Sequence, residues 1–188
     1  QLLCEQTIAQ QLLLPALAEV IVAGEALYIS REIGDFFSAR RSCQLWNHYG
    51  PTETHVATHE LVTDFTVNQY AFIGTAVGDN KLWLLDEQGN IVPRGACAEL
   101  YVSGPGIAQG YLNRDELTTE RFIRTIVDTQ VLYRTGDRVR INGNGKLQYL
   151  GRNDDQVKLR GFRIELGEVE LGLSRSELVS QAVVVVSG

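Results

Sequence analysis

The chain has 188 residues and a formal net charge of −6, with 44% hydrophobic and 21% charged residues. These proportions are typical of globular proteins and argue against disorder. The sequence has no dense run of Lys and Arg that could follow a nucleic-acid backbone, and no apolar run near the roughly 18 residues that cross a bilayer. We therefore expect neither a nucleic-acid partner nor a membrane segment.

The cysteines indicate the redox setting. Cys4, Cys43 and Cys97 are widely spaced, odd in number and without a CxxC pair, which predicts neither a disulfide framework nor a cysteine-based zinc site. A reducing, cytoplasmic location fits this pattern. The chain also contains no methionine and opens in the middle of a helical pattern, so we expect it to be a piece of a longer polypeptide.

The first third of the chain alternates helical and strand patterns. Apolar residues recur at helical spacing over residues 1–17, "EVIVAGEAL" predicts a buried strand, 31–41 predicts a helix, and "CQLWNHY" predicts a second strand. The order strand, helix, strand is typical of an α/β arrangement.

The middle of the chain is rich in short strands and turns. Strands are predicted at "HVATHELV", "KLWLLD" and "AELYVSG", and "YRTGDRVRI", "NGNG" and "KLQYLG" predict a hairpin. One helix is expected at 115–121, with Asp115 as its cap. The pattern of short strands and turns predicts that this region folds as a small β-barrel or folded sheet.

The polar segment "GRNDDQVKLRG" interrupts the strands near residue 153. Beyond it, "FRIELGEVELGLSR" predicts a helix and "ELVSQAVVVVSG" a strand. We therefore expect two units, 1–153 and 154–188, the second incomplete, within a mixed α/β (α+β) fold.

Two patterns resemble ligand sites without meeting their requirements. Gly104, Gly106 and Gly110 follow a strand, but their GxGxxxG spacing differs from the dinucleotide-binding fingerprint and favours a turn. His55 and His59 lie four apart, on one face of the predicted strand, and no third ligand of a suitable type is near. Solvent-facing histidines are expected there instead of a metal site.

The segment "YGPTE" at 49–53 offers a different chemistry. Gly50 and Pro51 predict a tight turn, after which Thr52 presents a hydroxyl and Glu53 a carboxylate. Such a pair suits a phosphate oxygen and its Mg²⁺, because Mg²⁺ prefers carboxylate and phosphate oxygens together. Taken alone, these residues also fit a capped turn without a ligand.

Four segments that occur in order decide between these alternatives. They are "NHYGPTE" at 47–53, "AELYVSGPGIAQGYLNR" at 98–114, "YRTGD" at 133–137 and "GRNDDQVKLRGFRIELGEVE" at 151–170, preceded by "VAGEAL" at 22–27. Together they resemble successive core motifs of the adenylation domains of nonribosomal peptide synthetases. These domains belong to a superfamily that also includes acyl-CoA synthetases and luciferases. Its members make an acyl adenylate from a carboxylate and ATP, releasing pyrophosphate.

The resemblance implies a division of the chain. Residues 1–153 would form the C-terminal portion of the large AMP-binding subdomain, including a small β-barrel. Residues 154–188 would form the hinge and the start of the small C-terminal α+β subdomain.

The resemblance also implies an ATP site in the first motif. Tyr49 would stack on adenine, a role that suits a flat ring, and Asn47 would approach the adenine edge, with Gly50 in the same turn. Thr52 would hydrogen-bond the α-phosphate and Glu53 would ligate Mg²⁺. Thr52 and Glu53 are therefore the expected catalytic residues.

The third and fourth motifs would supply the other contacts. Asp137 would accept both ribose hydroxyls, because a carboxylate offers two acceptor oxygens and no donor. Arg152 would bind near the ribose and phosphate. Asp154 matches the hinge about which the small subdomain rotates between adenylation and thioester formation, a conformational step of a kind that enzymes commonly use.

The resemblance implies two further groups of site residues, which are assigned from their positions within or beside the motifs. The tunnel for the phosphopantetheine arm of a partner carrier protein would be lined by Lys158, Arg160 and Gly161. The pocket for the amino or related carboxylic acid would be lined in part by Ile21, Ala23, His48, Val56 and Ala57.

Two other functions remain open at this stage. One is a fatty acyl or aryl acid ligase of the same superfamily, although "NHYGPTE" together with "QVKLRGFRIELGEVE" favours the peptide-synthetase branch. The other is a non-catalytic β-rich binding module, which predicts no role for Glu53 or Asp137.

The isolated 188-residue chain is expected to show no substrate-dependent pyrophosphate exchange. The phosphate loop and the Asp that anchors the substrate amine are expected before residue 1, and the Lys that stabilises the transition state is expected beyond residue 188. Positioning and electrostatic stabilisation supply most of the catalysis in such transfers. Robust exchange by the purified chain would contradict this prediction.

Overall fold

The computed structural model of the chain describes every residue except 11, 13, 155, 160, 161, 177, 187 and 188, and only the backbone of residue 158. The predicted roles of Arg160 and Gly161, and of the Lys158 side chain, therefore lie outside the described residues. Among the described residues, no helix is both long and apolar enough to span a membrane.

Helices and strands alternate in the first third of the chain, and strands dominate the middle. The helices are α1 Leu2–Ala9, α2 Arg31–Ala39, α3 Asp115–Arg121 and α4 Leu166–Ser174. The strands are β1 Glu19–Val22, β2 Tyr28–Ile29, β3 Gln44–Tyr49, β4 Thr58–Val62, β5 Gln69–Tyr70, β6 Thr75–Ala76, β7 Lys81–Leu85, β8 Cys97–Ser103, β9 Phe122–Ile123, β10 Leu132–Ile141, β11 Leu147–Arg152, β12 Gln156–Leu159 and β13 Phe162–Glu165.

The first sheet has the order β1-β3-β4-β6. Strands β1 and β3 are parallel and are connected through α2, whereas β3 and β4 are antiparallel. Helix α2 begins at the Ser30 cap, whose hydroxyl accepts a hydrogen bond from the Ile33 amide. It buries Phe36 and Phe37 in a core that also contains Leu45 of β3. The strand, helix, strand prediction is confirmed, but the predicted burial of the first strand was wrong, because β1 lies at the edge of the sheet and exposes Glu19 and Ile21.

The second sheet is antiparallel and curls into a half-barrel. Its order is β11-β10-β8-β7, and β9 adds to β10. Leu100, Val102 and Val139 are fully buried and share one core with Tyr49 of the first sheet. The mixed α/β fold class and the predicted hairpin of β10 and β11 are confirmed. The glycine-rich segment after β8 carries neither helix nor strand, as the turn prediction expects.

Several predicted element boundaries were wrong in the first part of the chain. Helix α1 ends at Ala9, well before residue 17. His55 has φ +55° and follows a 3₁₀ turn at Thr52–Thr54, so β4 begins only at Thr58. Asp115 is the first residue of α3, and the cap position belongs to Arg114.

The prediction for the C-terminal segment was wrong in two places. Phe162–Glu165 forms a strand instead of the start of a helix, because its backbone pairs with Gln156–Leu159. Helix α4 begins after it, at Leu166. The described residues 178–186 carry no strand, since an extended apolar segment becomes a sheet strand only when a neighbouring strand pairs with it.

We expect Gly74→Ala to lower the free energy of unfolding by about 2 to 4 kcal/mol. Gly74 has φ +77°, and an added Cβ would lie 1.8 Å from the carbonyl oxygen of His59. Its backbone also bridges to Leu147 of β11, which joins the two sheets. Urea denaturation followed by circular dichroism measures the effect.

Gly143→Ala is the matched control for this substitution. Gly143 lies in the turn between β10 and β11, and a Cβ there would meet no atom within 4 Å. We expect a change within about 0.5 kcal/mol. Equal effects of the two substitutions would contradict the steric argument.

Candidate active site

A buried carboxylate lies where the two sheets meet. Asp137 is fully buried. The Tyr49 hydroxyl donates to its Oδ2 at 2.6 Å, and Arg152 Nη1 donates to its Oδ1 at 2.6 Å. Tyr49 ends β3, Asp137 is in β10, and Arg152 ends β11. Residues from three strands that are far apart in the sequence therefore form one hydrogen-bonded cluster.

The same arginine also holds the predicted hinge residue. Arg152 donates from Nε and Nη2 to the two carboxylate oxygens of Asp154, at 2.6 and 2.8 Å. Arg121 of α3 lies 3.5 Å from Asp154 as well. Paired, planar contacts of this kind fix a carboxylate in direction as well as in position. Asp154 is thus anchored to the end of β11 through Arg152.

Burial governs ionisation around Asp137. Desolvation, reinforced by the Asp137 carboxylate, raises the pKa of Tyr49 well above its usual range. The same two causes raise the pKa of Tyr149, in β11, to about 12. Burial by itself would lower the pKa of Arg152, but Asp154 and Asp137 outweigh it and the pKa is raised. The phenols of Tyr49 and Tyr149 are therefore neutral near pH 7, beside the charged Arg152 guanidinium.

Glu53 is held by the turn that follows β3. A Cβ at Gly50 would lie only 1.7 Å from the carbonyl oxygen of His55, so the turn closes tightly enough to require glycine. Glu53 lies in the 3₁₀ turn and is 7% exposed. Thr52, next to it, is exposed to solvent. The turn therefore directs a hydroxyl outwards and a carboxylate inwards.

The glycine-rich segment after β8 supports Glu53. The backbone amide of Ala108 donates to the Glu53 carbonyl at 2.8 Å. The hydroxyl of Tyr111 donates to Glu53 Oε1 at 2.5 Å and lies 3.3 Å from the Tyr133 hydroxyl. Arg163 Nη1 lies 2.9 and 2.8 Å from the two carboxylate oxygens. Glu53 is therefore surrounded by donors.

These donors keep Glu53 ionised. Burial tends to raise the pKa of Glu53, but the hydrogen bond from Tyr111, with the Arg163 charge among the further causes, outweighs burial and lowers the pKa below its usual value. The carboxylate already accommodates one cation, the Arg163 guanidinium. Its chemistry is therefore compatible with a hard divalent cation in the place of the arginine.

A metal site at Glu53 would need ligands beyond the described residues. The part of the chain that the structure describes contains no cluster of three or more His, Cys, Asp or Glu residues able to hold a metal ion. Glu53 would bind Mg²⁺ together with water and, when a nucleotide lies beside Thr52, with phosphate oxygens as well.

A narrow cleft adjoins the cluster. It is about 20 Å³ in volume and is lined by Gly24, Glu25, Ala26, Asn47, His48, Tyr49, Gly50, Ile73 and Tyr149. That space holds about one water molecule. Asn47 is 1% exposed and donates to the Phe72 carbonyl at 2.8 Å. The structure therefore brings the predicted adenine residues Asn47, Tyr49 and Gly50 to one cleft, whose walls must separate to admit a purine.

Two of the side chains predicted for the acid pocket lie on the face of β3 opposite Tyr49. Register pairs Ile21 with Trp46 and His48 with His59, and residues paired in neighbouring strands share a face. The Trp46 and His59 rings stack at 5.4 Å. This open face therefore carries two predicted pocket residues, Ile21 and His48, together with Trp46.

The other three predicted pocket residues differ in their surroundings. Ala23 follows β1 and is exposed. Val56 is half-buried, and its carbonyl accepts from Asn80 at 3.2 Å. Ala57 is fully buried in the core that contains Tyr49. The structure does not bring Ala57 to the open face.

Sequence reasoning missed four residues of this region: Trp46, Tyr111, Tyr133 and Arg163. Three of them lie inside the motifs quoted above, and that position could have indicated that they belong to the site. These are Tyr111, Tyr133 and Arg163. Trp46 lies two residues before His48, and the period of two in a strand indicates their common face.

We expect the free energy of unfolding to fall as pH rises from 10 to 12. Because the folded-state pKa of Tyr149 is raised from 10.0 to about 12, its contribution is complete below pH 10 and is lost as pH approaches 12. Tyr149→Phe should therefore reduce this slope, by less than about 1.4 kcal/mol per pH unit for one proton, since solvent screens a half-buried group. Urea denaturation at several pH values measures it.

Measurements at pH 7 to 9 provide the internal control for this experiment. The phenol is neutral in both states there, so the stability difference between the wild type and Tyr149→Phe should not change with pH. Identical slopes of the two proteins above pH 10 would contradict the prediction.

Comparisons with known proteins agree with the motifs. Surfactin synthase subunit 1 of Bacillus subtilis (strain 168) is 42% identical over 178 residues, which cover 90% of this chain and 5% of that protein. Gramicidin S synthase 2 of Brevibacillus brevis is 40% identical over 173 residues, which cover 88% of this chain and 4% of that protein. The chain therefore spans only a small part of these relatives.

Solved structures show the same similarity. An NRPS protein containing adenylation and PCP domains matches with TM-score 0.78 and 31% identity, over 87% of this chain and 34% of that one. The Vibrio cholerae adenylation domain AlmE in complex with glycyl-adenosine-5'-phosphate matches with TM-score 0.79 and 30% identity. The match covers 96% of this chain and 35% of that one. The family model described as AMP-binding enzyme matches residues 2–112. The resemblance to adenylation domains is confirmed, and the chain belongs to the AMP-binding enzyme family.

Proposed function

We propose that the chain is part of an adenylation domain of a nonribosomal peptide synthetase. With ATP, the domain converts an amino or related carboxylic acid to an acyl-AMP and pyrophosphate, and it passes the acyl group to the phosphopantetheine thiol of a carrier protein. The observation that carries this proposal is the direct contact of separate motifs, above all the 2.6 Å hydrogen bond from Tyr49 to Asp137. A turn or hairpin without a ligand would not require it.

The nucleoside would bind on the Tyr49 side of β3. Tyr49 offers a flat ring for the adenine face and Asn47 an amide for its edge. Asp137 would accept the ribose hydroxyls, and Arg152 would contribute positive charge near the ribose and phosphate. Asp137 is fully buried here, so nucleotide entry requires the walls of the cleft to separate.

Thr52 and Glu53 would hold the phosphates. The exposed Thr52 hydroxyl can donate to the α-phosphate, and the Glu53 carboxylate would ligate Mg²⁺. Bound Mg²⁺ neutralises charge on the phosphate oxygens. Glu53 and Thr52 contribute position and charge, with Tyr111 orienting one carboxylate oxygen at 2.5 Å.

The acid would bind against the other face of β3. Ile21, Trp46 and His48 line this face, Ala23 and Val56 would contribute further contacts, and Ala57 would act only through packing. The mixture of apolar side chains with an imidazole does not define one substrate. AlmE, in complex with glycyl-adenosine-5'-phosphate, supports an acid bound next to a nucleotide in this fold.

The hinge and tunnel remain predictions. We place the boundary between the subdomains at 153/154, with Asp154 as the hinge and Lys158, Arg160 and Gly161 facing the pantetheine tunnel after rotation. A solved relative that contains adenylation and PCP domains supports a carrier-protein partner. The three cysteines are free thiols, which supports a reducing, cytoplasmic setting.

We expect Glu53→Gln to lower kcat/KM for ATP–pyrophosphate exchange about 100-fold in the full-length protein that carries this chain. The amide keeps the size of the side chain but removes the charge that would ligate Mg²⁺, so the Mg²⁺ concentration needed for half-maximal rate should also rise. Exchange assays at several Mg²⁺ concentrations measure both effects.

Glu87→Gln is the matched control, because Glu87 is an exposed carboxylate in the turn after β7. It should exchange pyrophosphate like the wild type. Unchanged exchange in Glu53→Gln would favour the non-catalytic β-rich module. Exchange that depends on fatty or aryl acids instead of amino acids would favour the alternative ligase class.

A further inference from the structure

The carboxylate proposed to ligate Mg²⁺ is already bound to an arginine. Arg163 Nη1 lies 2.9 Å from Glu53 Oε1 and 2.8 Å from Oε2, so one nitrogen bridges both oxygens. The Glu53 side chain is 9% exposed and the Arg163 side chain 31% exposed. The pair is thus substantially shielded from water, where attraction between opposite charges is stronger than at an open surface.

The two cations cannot occupy this position together. A divalent cation held by both Glu53 oxygens would need the side of the carboxylate that Arg163 Nη1 occupies. Tyr111 occupies the remaining side of Oε1 at 2.5 Å. Two positive charges at that separation would repel each other in a partly desolvated site. Binding of the metal therefore requires Arg163 to leave.

Arg163 and Glu53 lie on opposite sides of the proposed hinge in the sequence. Arg163 lies in β13, which pairs only with β12 in the described sheets, and both strands follow the proposed hinge at Asp154. Arg163 Nε donates to Gln156 Oε1 at 2.6 Å, and Gln156 is in turn hydrogen-bonded to Glu165. The hairpin thus presents the guanidinium in a fixed direction, and release of Arg163 removes a direct contact between the β12–β13 hairpin and the Glu53 turn.

We propose that Arg163 is a positioning residue that competes with the divalent cation for Glu53 and so couples metal occupancy to docking of the β12–β13 hairpin. With Glu53 free of metal, the hairpin docks on the turn after β3. With metal bound, the hairpin is released. The inference rests on the proposed function, because it takes Glu53 as the metal ligand.

The test measures Mn²⁺ affinity and hairpin exchange separately in the 188-residue chain. Electron paramagnetic resonance counts free Mn²⁺ during titration with Mn²⁺ alone. Hydrogen–deuterium exchange follows the amides of β12 and β13. In Arg163→Ala we expect the Mn²⁺ dissociation constant to fall about fivefold or more, and the hairpin amides to exchange quickly whether or not Mn²⁺ is present. In the wild type, Mn²⁺ should speed their exchange.

Two variants control for charge and folding. Arg175→Ala removes one exposed arginine from the same side of the hinge, after α4, and should behave as the wild type in both measurements. Arg163→Lys keeps a cation but not the contact with Gln156, and its Mn²⁺ affinity should fall between those of the wild type and Arg163→Ala.

The outcomes separate this inference from the proposed function. Mn²⁺ binding that is lost in Glu53→Gln but equal in the wild type and Arg163→Ala would overturn the competition while leaving Glu53 as the metal ligand. Hairpin exchange that does not respond to Mn²⁺ in the wild type would overturn the coupling. Mn²⁺ binding that is unaffected by Glu53→Gln would refute the metal assignment itself, and the inference with it.

Discussion

The fully buried Asp137 carboxylate constrains the rest of this molecule. A buried charge is strongly destabilising unless it is paired and hydrogen-bonded. Its partners come from two other strands, Tyr49 at the end of β3 and Arg152 at the end of β11. Satisfying one carboxylate therefore fixes how the two sheets meet, and it places the first, third and fourth motifs side by side.

Glu53 follows the same physical rule with a different outcome. Both carboxylates are buried, and both are paired with an arginine and a tyrosine hydroxyl. Arg152 is only 7% exposed at its side chain and is tied to Asp154 as well, so the Asp137 pair also ties β10 to β11, in addition to its proposed contacts with the nucleotide. Arg163 is more accessible and reaches Glu53 from a two-stranded hairpin. The first pair holds the fold together, and the second can exchange partners.

Local patterns predicted most elements of the fold, because strand periodicity and the "NGNG" turn are properties of neighbouring residues. They failed where long-range pairing decides the outcome. Phe162–Glu165 begins a motif that resembles a helix start, yet its backbone pairs with β12. The site residues were predicted from motif resemblance, which names positions but not contacts. Neither the Arg163 contact nor the Tyr111 contact follows from spacing, since Glu53 lies 110 and 58 positions away.

The alternation of side chains along β3 between the two faces of the sheet affects how the selectivity of such a protein can change in evolution. His48 and Tyr49 are neighbours in the chain, yet the strand directs them to opposite faces of the sheet. On the proposed assignment, one face meets an invariant reactant, the nucleotide, and the other meets the reactant that varies. Substitutions at Trp46 or His48 can therefore alter acid selectivity with little effect on the nucleotide face, so a new selectivity can evolve without rebuilding the chemistry.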